Sequence, residues 1–206
     1  ILDKLEESIF LHDKHVVKFF YDKSMVEQRV KRGKILKGLV PKILRHQNNF
    51  YQYEFVKGDL YSGVANPKNF KKFLKWAGDN LWKPTKEVEQ QDFKKICYNF
   101  YYIKTTERLD KFYKSRNIKD KIDIINDEKV PSIKEMLKMI DFDWLTDAEQ
   151  THFHGDFILD NIIKTKSGFC LLDWRQNFGG LLKAGDKYYD LAKLNHNLTV
   201  NHGIVN

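Results

Sequence analysis

From Ser8 to Tyr21 the apolar residues fall in two short runs, Ile9-Phe10-Leu11 and Val16-Val17 with Phe19-Phe20, parted by His12-Asp13-Lys14. Two brief β-prone runs around a polar turn predict a hairpin. The period then changes. Val26, Val30, Gly33, Leu36 and Leu39 recur at helical spacing, with Ser24 as expected N-cap and Pro41 as the stop, which predicts a helix. Lys42–His46 and Phe50–Val56, joined by Gln47-Asn48-Asn49, read as a second strand pair, and Lys57-Gly58-Asp59 breaks the pattern. Residues 67–81, 87–115 and 132–140 are patterned as helices. The last opens on Ser132 with Glu135 three residues on, the spacing of a capping box. Two late strands, 162–164 and 169–172, flank Lys166-Ser167-Gly168. The expected organisation is a strand-rich first lobe over residues 1–57, a hinge near 54–60, and a mainly helical second lobe over 58–206 that carries a late hairpin.

Composition narrows the class. The chain has 206 residues, 42% hydrophobic and 14% aromatic, enough for a sizeable core and too apolar for a disordered segment. No apolar stretch approaches the roughly 18 residues that cross a bilayer, so no membrane span is expected. Ile1 to Phe10 has neither the basic start nor the small-residue cleavage site of a secretory signal. Cys97 and Cys170 cannot build a disulfide framework or a four-ligand zinc site. Free thiols are favoured over a single bridge, which points to a cytoplasmic protein.

The net charge is +8, compatible with nucleic acid, an anionic membrane surface or a phosphate-bearing ligand. The densest aromatic and basic stretch is 92–116. There Phe93, Ile96, Cys97, Phe100, Ile103, Leu109 and Phe112 lie close to the helical period. The aromatics therefore face a core, and no nucleic-acid partner is expected.

The chemistry is concentrated in residues 151–192. Asn161 follows Asp156 by five residues just before a strand, and Asp173 stands at the end of the late hairpin. Two carboxylates and an amide brought together in this way make an oxygen site suited to Mg²⁺ and its bound phosphates. His152, His154 and Asp156 alternate as metallohydrolase ligands can, but only His196 and His202 remain downstream to complete such a set.

His154-Gly155-Asp156-x-x-x-x-Asn161 resembles the catalytic loop of the aminoglycoside phosphotransferase and choline kinase-like superfamily. Leu172-Asp173-Trp174 resembles that superfamily's metal-binding motif, and Gly185-Asp186-x-x-Tyr189-Asp190-Leu191-Ala192 its G-D-x-x-Y-D-L-A segment. The three occur in the family's order, and the resemblance covers most of residues 15–200. It implies a two-lobed, protein-kinase-like α+β fold with a small antiparallel-sheet N-lobe and a mainly helical C-lobe. It also implies Mg²⁺-dependent transfer of a phosphoryl group from ATP or GTP to a hydroxyl of a small molecule: a sugar, an amino alcohol such as choline, or an aminoglycoside. Asp156 would orient and deprotonate the acceptor, with His154 bracing the loop. Asn161 would bind one metal ion, and Asp173 would bridge both ions to the phosphates. Asp186 and Asp190 would cap and support the catalytic segment.

In the first lobe, His15-Val16-Val17-Lys18 resembles the strand whose lysine grips the nucleotide phosphates, with Glu27 as its expected partner. Glu54, Phe55 and Val56 fall where the family's hinge receives the adenine. No glycine stands among the residues before Lys18, so the Gly-rich loop is expected to be missing or upstream, and the family's later helices to be absent. A nucleotide-binding module without catalysis is the alternative reading.

Overall fold

A computed structural model describes residues 6–200. Residues up to Glu87 together with those from Glu149 onward form one compact unit, and Val88–Ala148 form a second. The secondary structure is a mixture of helix and antiparallel sheet, the α+β class expected from the patterning.

The first unit opens with a four-stranded antiparallel sheet. Strands β1 (Glu7–His12), β2 (His15–Phe20), β3 (Ile43–Gln47) and β4 (Phe50–Glu54) lie in the order β1-β2-β4-β3. The β1–β2 register pairs Phe10 with Val17 and closes through a left-handed Asp13. Along β2 the inward side chains are Val16, Lys18 and Phe20, the alternation that a pleated strand imposes. One of the three is a lysine, so the strand delivers a charge into the interior.

Helix α1 (Lys23–Ile35) crosses this sheet. Its N-cap is Asp22, whose carboxylate accepts the Ser24 N–H at 2.8 Å. Ser24 itself already lies in the first turn, which corrects the expected cap by two residues. The buried face carries Val26, Arg29, Val30 and Arg32, so two arginines share the apolar stripe. Gly33 lets the helix approach its neighbours. A Cβ there would come within 2.5 Å of Ile43 Cδ1 and 3.1 Å of the Trp174 indole.

A second sheet joins β5 (Asp59–Leu60), β8 (Ile162–Thr165) and β9 (Gly168–Leu171) in the order β5-β8-β9. A short helix α2 (Tyr61–Val64) leads to α3 (Pro67–Asn80), which starts on an Asn66/Asn69 capping box with Pro67 at the first helical position. Phe73 of α3 is fully buried, its ring 5.1 Å from Tyr61, 5.2 Å from Phe157 and 5.0 Å from Phe169. This aromatic cluster holds the β8–β9 hairpin against α3. The unit ends with α8 (Lys187–Thr199), capped by Asp186, which accepts the Tyr188 N–H.

The second unit holds α4 (Gln90–Tyr98), a π-helical turn (Asn99–Ile103), α5 (Lys104–Arg116), a hairpin of β6 (Asp123–Ile125) and β7 (Glu128–Val130), α6 (Ile133–Lys138) and α7 (Phe142–Leu145). The helix expected over 87–115 starts three residues late. The Glu87 carboxylate is occupied elsewhere, accepting the N–H groups of Leu182, Lys183 and Ala184. The β6–β7 hairpin escaped the periodicity reading. Its turn residues Asn126 and Asp127 are both left-handed, as a tight two-residue hairpin loop demands. The Asp120 carboxylate accepts the Ile133 and Lys134 N–H groups at 2.8 and 2.9 Å and so anchors the start of α6. Neither Cys97 nor Cys170 is joined in a disulfide. No helix among the described residues is long and apolar enough to cross a membrane.

Truncating Phe73 to Ala removes the centre of the aromatic cluster. We expect Phe73→Ala to destabilise the chain by about 3–5 kcal/mol. A urea titration would show this as a lowered midpoint with an unchanged slope, and an unshifted midpoint would place the unit's core elsewhere.

Candidate active site

Lys18 is the buried cation that β2 turns inward, at 4% exposure. A buried ammonium needs a partner, and Lys18 finds it 155 residues away: its Nζ lies 2.7 Å from Asp173 Oδ1. The same oxygen accepts from the Arg29 guanidinium of α1. Burial pushes the Asp173 carboxyl up, yet Arg29 and Lys18 outweigh it and hold the group well below the usual carboxylate range. Asp173 follows β9 in a left-handed conformation, φ +55, which non-glycine residues adopt at a cost. Its neighbours hold it there. Leu172 N–H donates to Asn161 O at 2.7 Å, and the buried Trp174 indole N–H donates to Arg29 O at 2.8 Å.

The loop from His154 to Asn161 is wired to this point. His154 is fully buried between two partners, its Nε2 2.8 Å from Leu172 O and its Nδ1 3.3 Å from Asp156 N. The Asp156 N–H must donate to Nδ1, which assigns the ring proton to Nε2. Burial, with Arg32 nearby, pushes this imidazole down to about 4. It is a neutral brace at physiological pH. With both nitrogens engaged it cannot serve as a metal ligand. Among the described residues no group of three or more His, Cys, Asp or Glu is placed to hold a metal, and His202 lies outside them.

Gly155 is left-handed at φ +91, and a Cβ there would meet Arg175 Cβ at 2.4 Å. The chain must be bare at this bend for the loop to pack. Asp156 then projects half-exposed. One carboxylate oxygen accepts the Asn161 amide at 3.0 Å, and the other lies 3.1 Å from Lys193 Nζ of α8. The Asn161 amide also donates to Asp156 O at 2.9 Å. With its NH₂ fixed on Asp156, Asn161 turns its carbonyl oxygen away as a potential ligand.

Two buried charges hold the loop from behind. The Arg32 guanidinium, fully buried, donates to the carbonyls of Phe153, His154, Arg175 and Leu182 and lies 3.7 Å over the Phe153 ring. Burial lowers it to about 9, so it remains charged at neutral pH. Asp190 accepts the His154 N–H at 2.7 Å, the Gly155 N–H at 2.6 Å and the Trp82 indole N–H at 3.1 Å. Burial pushes its carboxyl up to about 6, against the pull of those three donors.

The structure thus brings Lys18 to Asp173 and Asp156 to Asn161, and joins the two pairs through His154 and Leu172. It does not bring Glu27 in. That side chain is exposed on α1, and Lys18 pairs with Asp173 instead. Glu54, Phe55 and Val56 leave the end of β4, where Phe55 N–H donates to Lys14 O at 2.8 Å and the Phe55 ring is half-exposed. The hydrogen bonds and ion pairs of the Lys18–Asp173 pair run to Arg29 rather than to any of these three. Sequence reading missed Arg29, Arg32 and Lys193. The first two were visible as charges on the helical stripe through Val26, Val30 and Gly33, positions where an arginine needs a buried partner.

No family model and no curated protein sequence matches the chain. Solved structures do. APH(2")-IIa in its gentamicin complex superposes with a TM-score of 0.55 at 16% identity, covering 90% of this chain and 65% of that one. A choline/ethanolamine kinase family protein from Mesorhizobium loti gives 0.49 at 12% identity, covering 98% and 64%. The ADP-bound aminoglycoside phosphotransferase APH(2'')-Ib gives 0.48 at 14%, covering 92% and 70%. The chain therefore has the fold of APH(2")-IIa, as its motifs implied, and spans 65% of that protein's length.

The two loop-bracing groups pull stability in opposite directions with pH. The folded value of Asp190, about 6, lies above its ordinary 3.8, so its contribution falls as pH rises through that window. The folded value of His154, about 4, lies below its ordinary 6.5, so the unfolded chain takes the proton and stability rises with pH. Between about pH 4 and 6 they nearly cancel. In Asp190→Asn only the His154 contribution remains, and stability should gain a positive slope, on the order of 1 kcal/mol per pH unit between about pH 4 and 6, relative to the parent. Urea unfolding at several pH values reads this directly, and parallel curves for the two proteins would contradict it.

Proposed function

We propose that this chain carries the catalytic centre of a small-molecule kinase, transferring the γ-phosphoryl group of ATP or GTP to a hydroxyl. The observation that carries the reading is the buried ion pair between Lys18 and Asp173, reached from opposite ends of the sequence and set beside the braced Asp156–Asn161 loop. Phosphoryl transfer asks a protein mainly for positioning and charge neutralisation, and this cluster supplies both. The fold shared with APH(2")-IIa, a protein solved with gentamicin bound, supports the same reading.

In that reading residues 1–57 form the nucleotide-binding lobe, with Glu54, Phe55 and Val56 at the hinge along the adenine and residues 58–206 as the catalytic lobe. Lys18 holds nucleotide phosphates. Asp156 orients the acceptor hydroxyl and takes its proton, and Lys193 holds Asp156 in place until the acceptor arrives. His154 sets the loop through Leu172 and the Asp156 N–H and transfers no proton. The donor set of the site, one ionised carboxylate at Asp173 and one amide oxygen at Asn161, fits a hard cation such as Mg²⁺ that takes its remaining ligands from phosphates and water. Such an ion, when bound, neutralises charge on the phosphates. The acceptor class is a sugar, an amino alcohol or an aminoglycoside, and the cytoplasm is the compartment that suits a nucleotide donor and two cysteines outside any disulfide.

Thermal shift with ATP and GTP, each with and without Mg²⁺, tests the nucleotide half. Saturation at about 100 times the dissociation constant adds roughly 2.7 kcal/mol of stability, and Asp173→Asn should abolish the Mg²⁺-dependent part. Asp156→Asn should keep the shift and lose about 10²–10⁴-fold in turnover across an acceptor panel of amines, sugars and aminoglycosides. No shift with either nucleotide would remove the kinase reading.

A further inference from the structure

Resting on the nucleotide reading above, we propose that the site takes one divalent cation where a bridging carboxylate would take two, with the Arg29 guanidinium occupying the place of the second.

The argument starts from which oxygen is used. Lys18 Nζ and Arg29 both donate to the same atom, Asp173 Oδ1. A carboxylate that bridges two ions through separate oxygens needs both of them free. Here one is already enclosed by an ammonium and a guanidinium, and only Oδ2 remains for an ion.

Arg29 is not a surface residue that drifted onto the carboxylate. It is 8% exposed, lies 4.7 Å over the Phe20 ring and is fixed from the backbone side by the Trp174 indole. Its Nε is buried with no hydrogen-bond partner, an uncommon vacancy for a guanidinium. The group is held by packing on the Phe20 ring and by one carboxylate oxygen.

Charge points the same way. Lys18 and Arg29 against Asp173 leave the triad with one net positive charge before any metal binds. A second dication at Oδ1 would have to displace a buried guanidinium or sit against it, and burial strengthens that repulsion. Nor does the surrounding chain offer further ligands. Asn161 gives a single amide oxygen, and the two oxygens of Asp156 are taken by Asn161 and Lys193. At the helical position where an acid would add negative charge and invite a second ion, this chain carries a fixed cation.

The test counts ions. Mn²⁺ is titrated into the chain saturated with an ATP analogue whose β,γ-bridge is nitrogen, and free Mn²⁺ is read by electron paramagnetic resonance. The expected stoichiometry is one Mn²⁺ per chain, kept in Arg29→Lys and rising to two in Arg29→Gln, where Oδ1 loses its guanidinium and Lys18, in the reading above, turns to the nucleotide phosphates. Two ions in the parent would overturn the inference and leave the kinase reading standing. A count of one in a folded Arg29→Gln, confirmed by its circular dichroism, would overturn the role given to Arg29. Absence of both analogue and Mn²⁺ binding in the parent would instead remove the nucleotide reading, and the inference with it. If Arg29→Gln does not fold, the parent and Arg29→Lys counts still decide between one ion and two.

Discussion

A guanidinium buried without a single carboxylate partner holds this site together. Arg32 leaves α1 and donates to four main-chain carbonyls, two just before Asp156 (Phe153 and His154) and two after Asp173 (Arg175 and Leu182). Burying such a charge costs free energy unless its donors are all met, and carbonyl dipoles meet them only in one arrangement of the loops. The position of α1, the bend at Gly155 and the chain path after Trp174 are therefore one structural decision. If any of the three moved, a buried cation would lose its acceptors. The consequence is that the segments bearing Asp156 and Asp173 are held by their backbones, without Arg32 drawing on either carboxylate.

The same device recurs with the opposite sign. Asp190 gathers the N–H groups of His154 and Gly155, and Glu87 gathers those of Leu182, Lys183 and Ala184. Irregular segments cannot satisfy their own backbone as helices and sheets do, so long loops at a site need partners from elsewhere. Here ionisable side chains from distant elements provide them. The left-handed Asp173 is held in this setting, its strain offset by the ladder bond at Leu172 and the indole bond at Trp174.

Much of this was legible in the chain. The period-2 runs gave the β1–β2 and β8–β9 hairpins, and the motif spacing placed His154, Asp156, Asn161 and Asp173 on adjoining loops. What escaped has physical reasons. The 123–130 hairpin is too short for alternation to register, and only its Asn126-Asp127 turn marked it. The helix start at Gln90 depends on Glu87 finding amides nearly a hundred residues later, which no local window contains. The N-cap moved from Ser24 to Asp22 because both side chains can cap and only the backbone geometry at the helix entrance decides.

Glu27 is the instructive failure. It was singled out as an acid in the right helix, but acidity is the wrong criterion and angular position the right one. Val26, Val30 and Gly33 define the buried face of α1, and the residues that share it are Arg29 and Arg32, while Glu27 points to solvent. An inward lysine from β2 facing a helix that presents arginines cannot be neutralised by that helix. The anion it meets is Asp173, whose carboxyl Arg29 and Lys18 together hold well below the usual range. The sign of one residue on the inner face of α1 thus determines the partner of Lys18 and the oxygen of Asp173 that stays open. A chain with glutamate at position 29 would give Lys18 to the helix and return both oxygens of Asp173 to the site. The arginine commits one of them before any ligand arrives.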